Sequence, residues 1–252
     1  MKYLYRLYQL IVVVPIMIVW TIIIALTVII GCAIGSGHFW GYHPGKWWAW
    51  LTLKLFLLPV KVEGREKVEK GKSYVFVANH QGAFDIFLIY GHLRYNFKWM
   101  MKYQLLKIPF VGPACKAAHH IMIDKRGPKR IKASYDKARE VLKDGISLVV
   151  FPEGARSMTG HMAPFKRGAF ALADELQLPV VPITINGSFH VMPRQRDWHF
   201  VNWHPLSLTF HDPICPQGKG AENISYTMER SLNAIMASLE PDLQGIEENP
   251  DQ

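Results

Sequence analysis

From Leu10 to Ile30 the chain runs for 21 residues without a charge, interrupted only by Pro15, Thr21 and Thr27. At about 1.5 Å per residue this makes about 30 Å of helix, the thickness of a bilayer core. Pro15 falls one turn in and is expected to kink the helix rather than end it. The run is longer than the apolar core of a secretion signal, and more apolar and aromatic sequence follows it, which predicts a retained segment. A second stretch, Trp47 to Val60 (WWAWLTLKLFLLPV), is too short to span and carries Lys54. Its three tryptophans suit the headgroup level of a membrane. The glycine-rich linker between the two stretches lets the chain turn sharply. Two arrangements satisfy this pattern: one spanning helix with the Trp-rich helix on the far face, or a re-entrant hairpin within one leaflet. Lys2 and Arg6 before the run and a basic body after it leave the positive-inside rule without a direction.

Beyond Lys61 the pattern changes to short apolar, β-branched runs at Tyr74–Ala78, Ile121–Ile123, Ser147–Phe151, Val180–Ile185 and Leu206–Phe210. Between and after them lie helical periodicities. Over Lys129–Lys143, Ile131, Tyr135, Ala138 and Leu142 share one face while bases occupy the others; Phe165–Leu176 and Asn223–Leu239 also read as helices. This alternation predicts an α/β fold, a mixed, largely parallel sheet flanked by helices, behind an N-terminal membrane helix or helical hairpin. The expected division is an anchoring segment over 1–60 and a folded domain over 61–252, with an acidic, frayed tail over about 241–252.

Charge sharpens this picture. Residues 1–60 hold four bases and no acid, residues 61–220 hold 24 bases and 13 acids, and residues 221–252 hold one base and seven acids. A basic body beside an apolar, acid-free N-terminus points to an anionic membrane surface or a phosphorylated substrate before it points to DNA. A chain that is 50% hydrophobic excludes low-complexity disorder. Cys32, Cys115 and Cys215, odd in number and far apart, exclude a disulfide framework and fit a reducing compartment; no zinc spacing is present.

Two short blocks carry candidate chemistry. In Asn79-His80-Gln81-Gly82-Ala83-Phe84-Asp85 a buried-type strand runs out into a helix. A histidine there stands at the sheet rim, where α/β proteins place ligands. An aspartate five residues on can reach back to Nδ1, leaving Nε2 free to accept a proton. Alone, this pattern is common by chance and reads first as a helix-capping aspartate and a satisfied loop histidine. The second block, Phe151-Pro152-Glu153-Gly154-Ala155-Arg156-Ser157, also follows a strand. Gly154 permits an unusual turn, and Arg156 offers the donor fork that fits a phosphate. Phe165-Lys166-Arg167-Gly168 adds two further cations.

Asn79-His80…Asp85 followed by Phe-Pro-Glu-Gly-x-Arg-Ser resembles the glycerolipid acyltransferase family of the 1-acyl-sn-glycerol-3-phosphate acyltransferase type. Ile121-Met122-Ile123-Asp124-Lys125-Arg126 and Val180-Val181-Pro182-Ile183 agree in order and spacing, so the resemblance covers roughly Val60 to Phe210. Two positions depart from it: Ala155 stands where the family usually has Thr, and Lys125, followed by Arg126, where it usually has Arg. The resemblance implies acyl transfer from acyl-carrier protein or acyl-CoA to the sn-2 hydroxyl of lysophosphatidate, forming phosphatidate. His80 would be the general base, oriented by Asp85. Arg156 would bind phosphate, with Gly154, Lys125, Arg126 or Lys166 in support. Glu153 would orient the arginine or bind a glycerol hydroxyl, and amides near Gly82 would hold the oxyanion. No cofactor or metal is expected, only the thioester co-substrate. The expected partners are membrane lipids rather than nucleic acid, at the cytoplasmic membrane with the active domain facing the cytoplasm.

Rival readings differ in observable ways. A serine hydrolase would need a G-x-S-x-G elbow, which is absent. A non-enzymatic module that binds anionic lipid or nucleic acid would explain the basic stripe over 125–143 but would release no thiol from acyl-CoA. Another lysolipid, such as a lyso-ornithine lipid or lysophosphatidylglycerol, is the alternative acceptor.

Overall fold

The computed structural model describes residues 2–124, 126–143, 145–194 and 199–247. The apolar N-terminus forms one helix over Lys2–Ile34. Its first part, α1 (Lys2–Tyr8), passes through a π-helical turn (Gln9–Val13) into α2 (Val14–Ile34). The widened turn sits just before Pro15, whose missing N–H and ring crowd the preceding turn; the helix adjusts there and continues. After α3 (Gly37–Trp40), α4 (His43–Leu55) begins four residues earlier than the Trp-rich stretch indicates.

The body alternates strands and helices: β1 (Val60–Glu63), β2 (Val75–Ala78), α5 (Asp85–His92), β3 (Phe97–Lys102), α6 (Val111–Ala117), β4 (Ile121–Ile123), α7 (Pro128–Lys143), β5 (Ser147–Val150), α8 (Gly168–Leu176), β6 (Val180–Asn186), α9 (Ser188–Val191), β7 (Leu206–Phe210) and α10 (Ala221–Ala237). The seven strands form one sheet in the order β1-β7-β6-β2-β5-β3-β4, every pairing parallel except β6 with β7. β1 and β3 escape the apolar pattern. β1 is a short edge strand whose side chains alternate between half-buried and exposed, and β3 (FKWMMK) begins and ends with a lysine nearby.

Period-two burial divides the core. Phe76 and Ala78 of β2 face α4 and α5, packing with Ala49, Leu53, Leu88 and Ile89. Val75 and Val77 face the other way, toward Ala138 and Leu142 of α7 and Phe170 of α8. Tyr42, Ala49, Leu53 and Leu58, which the sequence places in the anchoring segment, belong to the first of these cores. The acidic tail is not frayed as far as it is described. Over 241–247 it docks on the loop before α8, where Met162 N donates to Gly245 O (3.2 Å) and Glu247 N to Met162 O (2.7 Å). Residues 248–252 lie outside the described residues.

The N-terminal helix lies along this body. Gln9 is 2% exposed and exchanges two hydrogen bonds with the Val201 backbone (2.8 and 3.1 Å). Trp48 Nε1 donates to Thr21 Oγ1 (3.0 Å), and Ile24 and Val28 pack on Ala118. Contacts from Gln9 to Val28 follow about 28 Å of helix. The opposite face leaves Ile11, Ile18, Val19, Ile23 and Ile30 exposed.

Candidate active site

β2 and β5 are neighbours and parallel, so the segments leaving their C-terminal ends meet at one rim of the sheet. His80 leaves β2 there, and Asp85 opens α5. His80 Nδ1 lies 2.8 Å from Asp85 Oδ2, with the Asp85 side chain fully buried and that of His80 14% exposed. The same oxygen accepts the amides of Gln81 (2.9 Å) and Gly82 (3.0 Å). A carboxylate so held fixes the ring with Nδ1–H toward Asp85 and leaves Nε2 as a proton acceptor. The Phe151 ring stacks on the imidazole at 3.9 Å between centroids, 8° from parallel. This covers one face of the imidazole with apolar surface.

The turn between them is pinned from three sides. Asn79, fully buried, donates to Ile185 O and accepts from Ile185 N, each at 2.8 Å, tying the end of β2 to β6. Ala83 N donates to Met192 O (3.0 Å). Gly82 backs onto Ser188, where a Cβ would meet the Ser188 carbonyl oxygen at 2.2 Å, so only glycine admits this approach. These bonds overturn one expectation: the amides of Gln81, Gly82 and Ala83 are all engaged within the protein, so none is free to hold an oxyanion.

Glu153, 2% exposed, does not face outward to an arginine or a glycerol. Its Oε1 accepts the His80 amide (2.6 Å) and its Oε2 the Ala163 amide (2.9 Å), joining the histidine turn to the loop before α8. Burial pushes this carboxyl up to about 8 against the pull of the two amides. Folding therefore takes up a proton here between about 4.5 and 8, so the stability this group contributes is present below that window and lost as the pH rises through it. Glu153→Gln removes the titration, and its amide nitrogen opposes one backbone donor. The stability advantage of the wild type over Glu153→Gln, measured as Tm, is expected to be greatest near pH 4.5 and to shrink toward pH 8.

Arg156 lies two residues after Gly154, whose φ of +80° is the left-handed conformation and whose N–H closes a turn on Phe151 O (3.0 Å). Ser157 N donates to His80 O (2.9 Å), which fixes the arginine segment to the histidine. The Arg156 pKa is drawn down chiefly by burial; Asp85 opposes this and Arg194 adds to it. The guanidinium remains charged at neutral pH. Lys166 joins it: its amide donates to Pro152 O (2.9 Å), and a Cβ on Gly154 would lie 2.8 Å from its Nζ. Arg194, which motif spacing does not single out, donates to Arg156 O (3.1 Å).

Arg126 is placed elsewhere. It follows β4, three strands from β2 and so about 14 Å across the sheet. Its guanidinium grips Asp124 through Nε (2.8 Å) and Nη2 (2.7 Å) and lies over Tyr103. That guanidinium holds the Asp124 carboxyl well below the usual carboxylate range. Lys125 lies outside the described residues. Among the described residues, one group of possible metal ligands converges, His190, Glu240 and Asp242, on α9 and the docked tail rather than at His80.

The sheet thus carries a histidine paired with a buried carboxylate and an arginine segment at the ends of two adjacent parallel strands. The acyltransferase family model matches residues 59–186, and the chain belongs to that family. A 1-acyl-sn-glycerol-3-phosphate acyltransferase of Cocos nucifera is 29% identical over 212 residues, covering 84% of this chain and 66% of the relative. A Chlamydomonas reinhardtii protein of the same description is 32% identical over 187 residues, covering 74% and 54%. The chain thus spans about half to two thirds of the length of these relatives. The crystal structure of the 1-acyl-sn-glycerophosphate (LPA) acyltransferase PlsC from Thermotoga maritima superposes with a TM-score of 0.75 at 26% identity, over 93% of this chain and 95% of that one.

Proposed function

We propose that this acyltransferase moves a fatty acyl group from acyl-carrier protein or acyl-CoA to the sn-2 hydroxyl of lysophosphatidate, yielding phosphatidate for phospholipid synthesis. The observation that carries this reading is the His80–Asp85 pair at 2.8 Å on the rim that also carries Arg156. His80 Nε2 takes the hydroxyl proton as the oxygen attacks the thioester carbonyl; the new C–O bond forms, the C–S bond breaks, and the thiolate leaves with that proton. Arg156, with Lys166 beside its turn, holds the phosphate, and Glu153 fixes the His80 backbone. An apolar cavity of about 410 Å³ beside α2, lined in part by Met17, Ile18, Phe56 and Phe110, suits an acyl chain. The Phe56 ring rests edge-on against Phe84, the residue before Asp85.

The test is an acceptor and donor panel. The full chain in detergent, offered lysophosphatidate and other lysolipids with acyl-CoA or acyl-carrier protein, is expected to release thiol fastest with lysophosphatidate. Faster turnover of a lysolipid without a phosphate would reassign the acceptor.

The apolar N-terminal helix holds the chain to the membrane. Because the body flanks it from Gln9 to Val28, the reading that fits is a helix lying in one leaflet with Ile11, Ile18 and Ile30 toward the acyl chains. Removing residues 1–34 deletes that surface and leaves α4 in the core. The truncated chain is expected to leave the membrane pellet in high salt, whereas the full chain stays.

A further inference from the structure

α4 and α5 run antiparallel: Phe56 meets Phe84, Trp48 meets Phe87, and Gly45 abuts Tyr90. The start of α4 therefore lies beside the end of α5, whose eight residues carry it about 12 Å from Asp85. Three cations converge at this place: Lys46 on the first turn of α4, Arg94 just after α5, and Arg65 on the loop after β1. Arg94 and Arg65 both act on Lys46, whose pKa is lowered first by burial and then by these two neighbours. Arg65 donates to His92 O and lies over the Phe210 ring. Among the described residues none of the three forms an ion pair. Glu66, next to Arg65 in the chain, acts on that guanidinium without forming an ion pair with it; the three like charges repel one another, and a bound anion relieves this.

A second observation points to a ligand. Tyr42, 4% exposed, is wedged against Tyr90 and Phe97, yet its hydroxyl is buried without a hydrogen-bond partner. Arg65 Nε is buried and unpartnered in the same way. Both guanidiniums, of Arg65 and Arg94, pull down a phenol that burial pushes up to about 12. A buried donor left without an acceptor is destabilising, so two of them within one group of cations describe a site with its acceptor missing.

The surroundings indicate where the acceptor comes from. Lys46, Trp50 and Lys54 stand four residues apart along one face of α4, and Lys54 Nζ lies 5.9 Å from the Trp50 ring. Trp47 and Trp50 are 47% and 48% exposed. Lysines interleaved with exposed tryptophans match the headgroup layer of a bilayer. We propose that Lys46, Arg65, Arg94 and the Tyr42 hydroxyl form a second phosphate-binding site, separate from the one at Arg156, that takes the headgroup phosphate of an anionic phospholipid and seats the α4–α5 end of the protein at the membrane surface.

The full chain in neutral detergent is titrated with soluble short-chain phosphatidylglycerol, short-chain phosphatidylcholine and inorganic phosphate, with dissociation constants read from tryptophan fluorescence. Wild type is expected to prefer phosphatidylglycerol. The double variant K46A/R94A should weaken that binding about tenfold or more, from about 1 kcal/mol per interfacial base. Tyr42→Phe removes only an unpartnered hydroxyl, so it should keep or raise Tm while weakening phosphatidylglycerol binding severalfold. K129A/K132A, which removes the same charge from the exposed side of α7 on the other face of the sheet, should leave binding unchanged. Equal losses in K129A/K132A and K46A/R94A would reduce the effect to net charge and overturn the site, as would unaltered binding by Tyr42→Phe. Inorganic phosphate that displaces phosphatidylglycerol at constant ionic strength would make the ligand a soluble phosphate and overturn the lipid assignment.

Discussion

Replacing His80 with alanine is expected to lower kcat about 10²- to 10⁴-fold, the range that a positioned general base contributes. The fold should survive, because the groups that hold the turn are the carboxylate of Asp85, the carboxyl of Glu153 and the amide of Asn79 rather than the imidazole. Asp85→Asn is expected to be comparably severe and to affect stability as well. Asparagine can place its oxygen where Oδ2 now accepts from His80, Gln81 and Gly82 and its NH2 where the unpartnered Oδ1 lies, but a neutral amide oxygen then replaces a charged acceptor and weakens all three bonds. Steady-state turnover beside a thermal melt separates the two cases: His80→Ala loses rate at unchanged Tm, whereas Asp85→Asn loses both. Near wild-type turnover in His80→Ala would remove the general-base step.

Arg156→Ala is expected to act on a different constant. If its guanidinium grips the lysophosphatidate phosphate, removing that charged contact costs about 1.5–3 kcal/mol, or roughly ten- to a hundredfold, mainly in KM. Lysine at this position restores the charge but not the two-pronged contact, so Arg156→Lys should recover part of the loss. Monoacylglycerol, a neutral acceptor with no phosphate, supplies the control. Arg156→Ala should narrow the preference for lysophosphatidate over monoacylglycerol, and a preference that survives unchanged would move the clamp to Lys166 or Arg194.

The parts of the site that could be read along the chain are those encoded within a few residues. His80 and Asp85 share one strand–turn–helix, so a five-residue spacing suffices to suggest their meeting. Arg156 is visible because Gly154 marks a turn directly after a strand. Glu153 was misread in direction: its residue type and place are plain, but its partners, the amides of His80 and Ala163, lie in segments that spacing cannot bring together. The oxyanion expectation failed for the same reason, since the acceptors that consume the amides near Gly82 are Asp85 and Met192. Arg194 carried no motif at all.

Apolar runs and their periods were enough for the α/β class, the long N-terminal helix and five of the seven strands, because burial on one face or two leaves a mark on each segment separately. Neighbourhood was not written there. Asp124-Lys125-Arg126 and Glu153-Gly154-x-Arg156 look alike as basic segments after strands. The order β2-β5-β3-β4 puts the second beside His80 and carries Arg126 three strands away, into a bidentate grip on Asp124. Pairing of this kind is settled by hydrogen bonds and packing between residues far apart in the chain, and only the assembled sheet holds them. The same holds for Tyr42 and Leu53: their apolar character marks them for burial, but it took the closing of α4 over α5 to bury them in the catalytic body rather than in lipid.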